Sequence, residues 1–172
     1  SRAARTVRCG LGARTRQPGR LSGQNGGIPL ASGGDRPGGR QAAVTLNTPG
    51  LIYKDLYIGG GNTSTPGSIR AYDVRTGALR WIFHTLPRPG EFGYETWPAD
   101  AYRNPAIGAV SNWCGAALDD ARGVVYVPTE EAEPDFWAGD RDGANLFANS
   151  LLALDANTGT RLWTVQIVRP DI

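Results

Sequence analysis

The chain has 172 residues, of which 40% are hydrophobic and 20% are charged, and its formal net charge is +2. Two cysteines are too few for a disulfide framework. The single histidine, His84, has no serine or cysteine at the spacing of a known catalytic motif, which argues against a nucleophile–histidine triad.

Residues 1–44 differ in composition from the remainder of the chain. They contain eight arginines and one acid, Asp35, for a net charge of +7, whereas residues 45–172 contain ten basic and fifteen acidic residues. The segment is rich in Gly, Ala and Ser, lacks aromatic residues and shows neither a helical nor a strand period. We therefore expect residues 1–44 to be disordered and the folded domain to span residues 45–172.

Three interpretations of residues 1–44 remain open. An Arg/Gly-rich stretch such as Arg36–Arg40 is typical of nucleic-acid-binding tails. An arginine-rich, acid-poor composition is also typical of transit peptides, although no apolar stretch of a secretory signal is present. The third interpretation is out-of-frame translation joined to a genuine domain, because shifted reading of a GC-rich gene yields Arg, Gly, Ala and Pro.

From Pro49 onward the sequence predicts strands. Apolar runs bounded by turn residues indicate eight of them. They are Leu51–Tyr53, Asp55–Ile58, Ser68–Val74, Leu79–His84, Asn112–Leu118, Gly123–Val127, Ser150–Asp155 and Arg161–Val168. A loop over Thr85–Val110, rich in Pro, Gly and aromatic residues, divides them into two groups of four, and loops of this length usually carry function.

An internal repeat defines the fold class. The eleven residues from Ala71, AYDVRTGALRW, return 82 positions later from Ala153 as ALDANTGTRLW. Each copy predicts a hairpin whose Asp and Thr bond turn N–H groups and whose Gly takes a positive φ. A tryptophan at one place in each unit predicts docking against a neighbouring unit. The sequence thus predicts an all-β fold: two four-stranded blades of an incomplete β-propeller, with Trp81 and Trp163 in equivalent positions.

The repeated A-x-D-x-x-T-G-x-x-x-W resembles the tryptophan-docking motif of the pyrroloquinoline quinone (PQQ) dehydrogenases, eight-bladed propellers that oxidise alcohols and sugars. Other stretches are similar to the glucose-type branch of that family, namely Leu51–Leu56, Ile69–Gly77, Pro89–Pro98 and Asn145–Asp155. The resemblance runs from about Thr48 to Ile172 and implies a fragment of a periplasmic quinoprotein dehydrogenase, with or without a membrane anchor.

The resemblance also implies site residues. Trp113 occupies the place of the tryptophan that forms the floor under the planar quinone, and Ser111 falls where a hydroxyl bonds the cofactor edge. A divalent cation, usually Ca²⁺, would coordinate the quinone, with Glu131 and Asn62 at the ligand positions. Glu130 replaces the glycine of the family's Pro-Thr-Gly-Asn turn, where a positive φ would be costly.

The residues themselves leave alternatives to these assignments. Trp113 could be an ordinary core aromatic. The acidic group Glu130, Glu131, Glu133 and Asp135 could be a solvated cluster. The stretch Asp140–Gly143 is interpreted as a surface turn, because the later glutamate of a calcium-binding loop is absent.

The implied reaction is oxidation of an aldose such as glucose, or of an alcohol, with electrons passing to ubiquinone or a cytochrome c. The family's general base is an Asp, which we expect to lie beyond Ile172, so no catalytic residue is predicted within the chain and the fragment alone should be inactive. We expect no nucleic-acid partner. The alternative is a non-catalytic propeller scaffold of the cell envelope with related repeats.

Overall fold

A computed structural model describes residues 48–61, 67–104, 106–134 and 137–168. The predictions made for residues 1–44, Asn62 and Asp135 lie outside these ranges. Within them the strands are β1 Leu51–Tyr53, β2 Leu56–Gly60, β3 Ile69–Asp73, β4 Leu79–Phe83, β5 Gly108–Ala109, β6 Ala117–Asp119, β7 Val124–Pro128, β8 Ala132–Glu133, β9 Ser150–Asp155 and β10 Arg161–Gln166. Two 3₁₀ helices, Tyr94–Thr96 and Ala101–Arg103, lie in the loop between β4 and β5. No helix in these ranges has the length and apolar character to cross a bilayer.

The strands form two four-stranded antiparallel sheets, as predicted. The first sheet has the order β1-β2-β3-β4 and the second has the order β6-β7-β9-β10. Strands β5 and β8 form a separate two-stranded sheet. Each large sheet is a meander, because its four strands pair in the order in which they occur along the chain, with β8 leaving the second sheet between β7 and β9. This connectivity is that of propeller blades, so the predicted fold class is confirmed.

The prediction of a strand over Asn112–Leu118 is wrong in its first half. The N–H of Gly115 donates to the carbonyl of Asn112 at 3.0 Å, and this turn precedes β6. Gly115 has a φ of 88°, which interrupts the extended chain. The short sheet of β5 and β8 was not predicted, because two-residue strands carry no readable period.

The two repeated turns have the same geometry. The Oδ1 atoms of Asp73 and Asp155 each accept the backbone N–H groups two and three positions further on, at 2.9–3.0 Å. Gly77 and Gly159 donate their N–H groups to the carbonyls of those aspartates at 2.8 Å, with φ of 71° and 72°. The Asp-x-x-Thr-Gly sequence therefore folds identically twice, as its local chemistry predicts.

The two repeated tryptophans occupy equivalent registers. Trp81 lies opposite Ala71, and Trp163 lies opposite Ala153. Their environments differ, because Trp81 is 8% exposed and Trp163 is 41% exposed. The equivalent registers confirm the prediction from the repeat. The exposures differ because the second sheet packs against Trp81, whereas within the described ranges no other sheet packs against Trp163.

Trp81 joins the first sheet to the second. Its Nε1 donates to the carbonyl of Ala156 at 3.2 Å, and its ring lies against Gly159. A Cβ at Gly159 would lie 2.4 Å from this ring. The turn of the second repeat is thus the surface on which the tryptophan of the first repeat docks.

The core lies between the two sheets and extends under the loop that connects them. Both sheets contribute aliphatic side chains that are at most 2% exposed. They include Ile58, Ile69, Val125, Val127, Leu152 and Leu154, and the loop adds Leu86, Trp97, Tyr102 and Ile107. Burial of this apolar surface at about 25 cal/mol per Å² is what holds the sheets together.

Comparing Gly159→Ala with Gly77→Ala separates two costs. One is the cost of placing alanine in a left-handed backbone conformation, and the other is the cost of blocking the surface on which Trp81 packs. Both glycines have a φ near 71°, so each substitution costs about 1–2 kcal/mol. At Gly159 the new Cβ would also meet Trp81, whereas nothing lies within 4 Å of it at Gly77. We expect Gly159→Ala to lower the free energy of unfolding, measured in urea, by about 1–3 kcal/mol more than Gly77→Ala. Equal losses would contradict the docking contact.

Candidate cofactor site

The segment after β5 runs antiparallel to the segment after β7. The N–H of Val110 donates to the carbonyl of Glu131 at 3.2 Å, and the N–H of Glu130 donates to the carbonyl of Ser111 at 3.0 Å. These bonds continue the pairing of β5 with β8. They place the predicted cofactor residue Ser111 directly beside the acidic pair that follows β7.

The side chains of Ser111 and Glu130 are also bonded. Ser111 is fully buried, and its Oγ donates to Glu130 Oε1 at 2.5 Å, a length typical of a hydroxyl bonded to a carboxylate. Burial raises the pKa of Glu130, while the bonds from Ser111 oppose that shift and the neighbouring Glu131 and Glu133 reinforce it. Because its proton is committed to Glu130, Ser111 has only lone pairs to offer a further ligand.

The backbone at Glu130 does not require glycine. Among the described residues, positive φ values at non-glycine positions occur at Lys54, Asp100, Val110, Asn145 and Asn149. Glu130, which replaces the family's glycine, does not adopt a left-handed backbone conformation and is therefore not strained. The strain lies instead at the buried Val110, a β-branched residue with a φ of 49° directly before Ser111.

Trp113 is not a core aromatic. Its side chain is 60% exposed, on the turn that follows Asn112, whereas Trp81 and Trp97 are buried. An accessible indole face suits a planar ligand, because stacking gains dispersion contact over the whole ring and fixes its plane. Trp113 therefore has the exposed face that the predicted cofactor floor needs, and its assignment stays a prediction.

The predicted cation ligands are not brought together by the described residues. Asn62 lies outside the described ranges, and the half-buried Glu131 is bonded through its backbone carbonyl to Val110. No group of three or more His, Cys, Asp or Glu side chains in the described ranges is arranged to hold a metal ion. These residues alone do not form a cation site, and the assignment of Glu131 and Asn62 stays a prediction.

A buried network that the sequence did not reveal ties together the two long loops of the molecule. Arg141 donates to Asn145 Oδ1 at 3.1 Å, and the N–H of Asn145 donates to the carbonyl of Thr96 at 3.0 Å. The N–H of Leu146 donates to Thr96 Oγ1 at 2.9 Å, and Trp97 Nε1 donates to the carbonyl of Leu146. The loop before β5 and the loop after β8 therefore form one connected layer.

The interpretation of Asp140–Gly143 as a surface turn is wrong for one residue of the four. The two aspartates are exposed, but Arg141 is only 2% exposed because its guanidinium enters the network. Gly143 is the one local signal of this contact. With a φ of 115°, a Cβ there would lie 2.3 Å from the carbonyl oxygen of Thr96.

His84 pairs with a carboxylate. Its Nδ1 lies 2.7 Å from Glu91 Oε1, and its side chain is 12% exposed. Burial lowers the pKa of His84 below its usual range, the bond and charge of Glu91 oppose that shift, and the charges of Arg88 and Arg70 add to it. This arrangement is that of a structural contact at the end of β4.

The titration of His84 is readily measured, because it is the only histidine in the chain. We expect its NMR titration midpoint to lie below the usual value of about 6.5, and Glu91→Gln to lower it further, since the opposing carboxylate is removed. The stability contributed by neutral, buried His84 is present above pH 6.5 and is lost as the pH falls below it. The chain unfolded in urea provides the reference, and a midpoint that rises in Glu91→Gln would contradict the assignment.

Two repeated four-stranded sheets joined by a docked tryptophan define a β-propeller protein. Residues 6–172 match the family described as PQQ, glucose/ethanol/alcohol dehydrogenase, β-propeller domain. Since the match covers nearly the whole chain, the chain belongs to this family. The resemblance inferred from the repeat is confirmed.

Individual relatives agree with this assignment. The chain is 31% identical over 164 residues to quinoprotein glucose dehydrogenase A of Acinetobacter calcoaceticus, covering 87% of this chain and 19% of that protein. It is 36% identical over 109 residues to the quinoprotein glucose dehydrogenase of Escherichia coli, covering 63% and 13%. The solved quinohemoprotein alcohol dehydrogenase of Pseudomonas putida superposes with a TM-score of 0.62 at 26% identity, covering 74% and 21%. The chain thus spans about a fifth or less of the length of these relatives.

Proposed function

We propose that this chain is part of a PQQ-dependent dehydrogenase that oxidises an aldose such as glucose, or an alcohol. The observation that carries the proposal is the family match over residues 6–172. The glucose substrate is favoured by the 31% identity to a glucose dehydrogenase over 87% of the chain. The alcohol substrate is kept because quinohemoprotein alcohol dehydrogenases are also among the relatives.

The residues of the site have distinct roles in this proposal. Bound PQQ would supply the acceptor for the hydride that leaves the substrate. Trp113 offers the flat apolar face, and its exposed indole is free to stack. Ser111 is held by Glu130, so that its lone pairs have a defined direction. Glu131 and Asn62 would add oxygen ligands, the type that Ca²⁺ or another divalent cation prefers.

The electron acceptor is also proposed from what the relatives are named for. Relatives include a quinate/shikimate dehydrogenase (quinone) of Acinetobacter baylyi and a lupanine 17-hydroxylase [cytochrome c] of a Pseudomonas species. We therefore propose ubiquinone or a cytochrome c as the acceptor. The periplasm is proposed as the location on the resemblance to the quinoprotein family alone. Reduction of purified cytochrome c or of a soluble ubiquinone analogue distinguishes the two acceptors.

Dye reduction by the propeller protein that contains this chain tests the proposal. With PQQ and Ca²⁺ added, we expect turnover with glucose or an alcohol, and loss of turnover when PQQ is omitted. The 172-residue chain serves as a control that should show no turnover, because two sheets leave the exposed face of Trp113 open to water. Activity that does not depend on PQQ, or none with any sugar or alcohol, would overturn the proposal.

A further inference from the structure

Arg141 is a buried cation that no carboxylate pairs with in the described ranges. Its side chain carries a positive charge and is only 2% exposed. Its guanidinium donates instead to two neutral groups, Asn145 Oδ1 at 3.1 Å and the carbonyl of Pro134 at 3.3 Å. A charge without an opposite partner is costly to bury, which indicates a role other than packing.

The guanidinium joins the two ends of one loop. Pro134 directly follows β8 and lies seven positions before Arg141, whereas Asn145 lies four positions after it. Asn145 returns the contact, since its Nδ2 donates to the carbonyl of Arg141 at 2.9 Å. A planar guanidinium reaches two acceptors in fixed directions at once, which the single ammonium of lysine does not do. Arg141 therefore fixes the position at which β8 ends.

The end of the loop at Asn145 is anchored to the loop before β5. The N–H of Asn145 donates to the carbonyl of Thr96 at 3.0 Å, and the N–H of Leu146 donates to Thr96 Oγ1 at 2.9 Å. Gly143 lies against the same residue, because a Cβ there would be 2.3 Å from the carbonyl oxygen of Thr96. Arg141 thus holds β8 from a fixed support.

The end of the loop at Pro134 leads to the predicted cofactor residues. β8 ends there and pairs with β5. The same ladder continues through the bond of Val110 to Glu131 at 3.2 Å, and it ends where Ser111 bonds Glu130 with both its backbone and its side chain. A displacement of β8 is therefore transmitted along the ladder to Ser111.

The strained backbone of Val110 shows why this ladder needs a fixed end. Val110 is buried and β-branched, and its φ of 49° lies in the left-handed region. A residue keeps such a conformation only where the surrounding structure imposes it. The bond of Val110 to Glu131 supplies part of that restraint, and Arg141 holds the strand that follows Glu131.

We propose that Arg141 is a positioning residue for the cofactor site, which holds β8 and through the ladder fixes Ser111 beside Glu130. This inference rests on the proposed dehydrogenase function. Arg141 itself touches no ligand, because its side chain is buried. Its replacement should therefore lower the affinity for PQQ through the displacement of Ser111.

Isothermal titration with PQQ, in the propeller protein that contains this chain, measures the effect. We expect Arg141→Lys to weaken PQQ binding about 10-fold or more, as for groups that orient a ligand-binding residue. Arg103→Lys is the matched control, because it makes the same change at an exposed arginine that pairs with Asp100, and it should leave the affinity unchanged.

Asn145→Gly is a second variant that acts on the same contact. It removes one acceptor of Arg141, and the φ of 48° at this position suits glycine. We expect it to weaken PQQ binding by about 3-fold or more, as for the loss of one hydrogen bond. Circular dichroism checks that each variant is folded, and Asn145→Gly serves for the comparison if Arg141→Lys does not fold.

A double-mutant cycle separates positioning from a general loss of stability. In the Ser111→Ala background, Arg141→Lys or Asn145→Gly should weaken PQQ binding by about 2-fold or less, because the residue through which Arg141 acts has been removed. Equal losses with and without Ser111, or a similar loss for Arg103→Lys, would overturn the inference and leave the proposed function standing. Failure of the unchanged protein to bind PQQ would overturn both.

Discussion

Replacing Trp113 with alanine is expected to weaken PQQ binding by about 5- to 150-fold, which corresponds to about 1–3 kcal/mol. The indole is 60% exposed and stands two residues from the buried Ser111, so it offers a planar ligand a free face. The loss is that of a stacking platform, by analogy with bases stacked on aromatic side chains. Isothermal titration with PQQ, in the propeller protein that contains this chain, measures it.

The chain offers a closely matched control for this substitution. Trp137 is 61% exposed, against 60% for Trp113, so the two alanine variants remove the same side chain at the same exposure. Trp137→Ala should leave PQQ affinity unchanged, and Trp113→Phe should retain part of it because a smaller ring still stacks. If both alanine variants lost affinity equally, Trp113 would have no special role in the site.

The largest loss of stability is expected for Trp81→Ala. Removal of this buried indole should lower the free energy of unfolding by about 3–5 kcal/mol, a large part of the 5–15 kcal/mol that holds a typical domain. The substitution removes the ring that covers Gly159 and leaves the carbonyl of Ala156 without its donor. Urea denaturation at low protein concentration measures the loss.

Trp163→Ala is the internal comparison for this prediction, because the two tryptophans share a register. Trp163 is 41% exposed and contacts Tyr126 at a ring centroid distance of 5.9 Å, so its removal should cost about 1 kcal/mol. Trp81→Phe should fall between the two alanine variants, since it keeps ring packing but loses the hydrogen bond to Ala156. Equal losses for Trp81→Ala and Trp163→Ala would show that docking adds nothing to the stability of the sheets.

The sequence by itself determined the features that depend on neighbours along the chain. The two Asp-x-x-Thr-Gly turns were predictable, because the aspartate bonds N–H groups two and three residues away and the glycine takes the required φ. The eight main strands followed from their apolar runs, and the repeat placed Trp81 and Trp163 in equivalent registers. The other strands begin within one residue of their predicted positions, whereas β6 begins five residues later than predicted, after the turn at Gly115.

Only the tertiary structure decided contacts between residues far apart in the chain. The bond of Ser111 to Glu130 spans 19 positions, and the bond of Trp81 to Ala156 spans 75. Burial of Arg141 is a further case, because Arg141 bonds Asn145, and Asn145 is held in turn by the carbonyl of Thr96, 49 positions away. The difference in exposure between Trp81 and Trp163 has the same origin: identical local sequences fold alike, and burial depends on whether a second sheet packs against them.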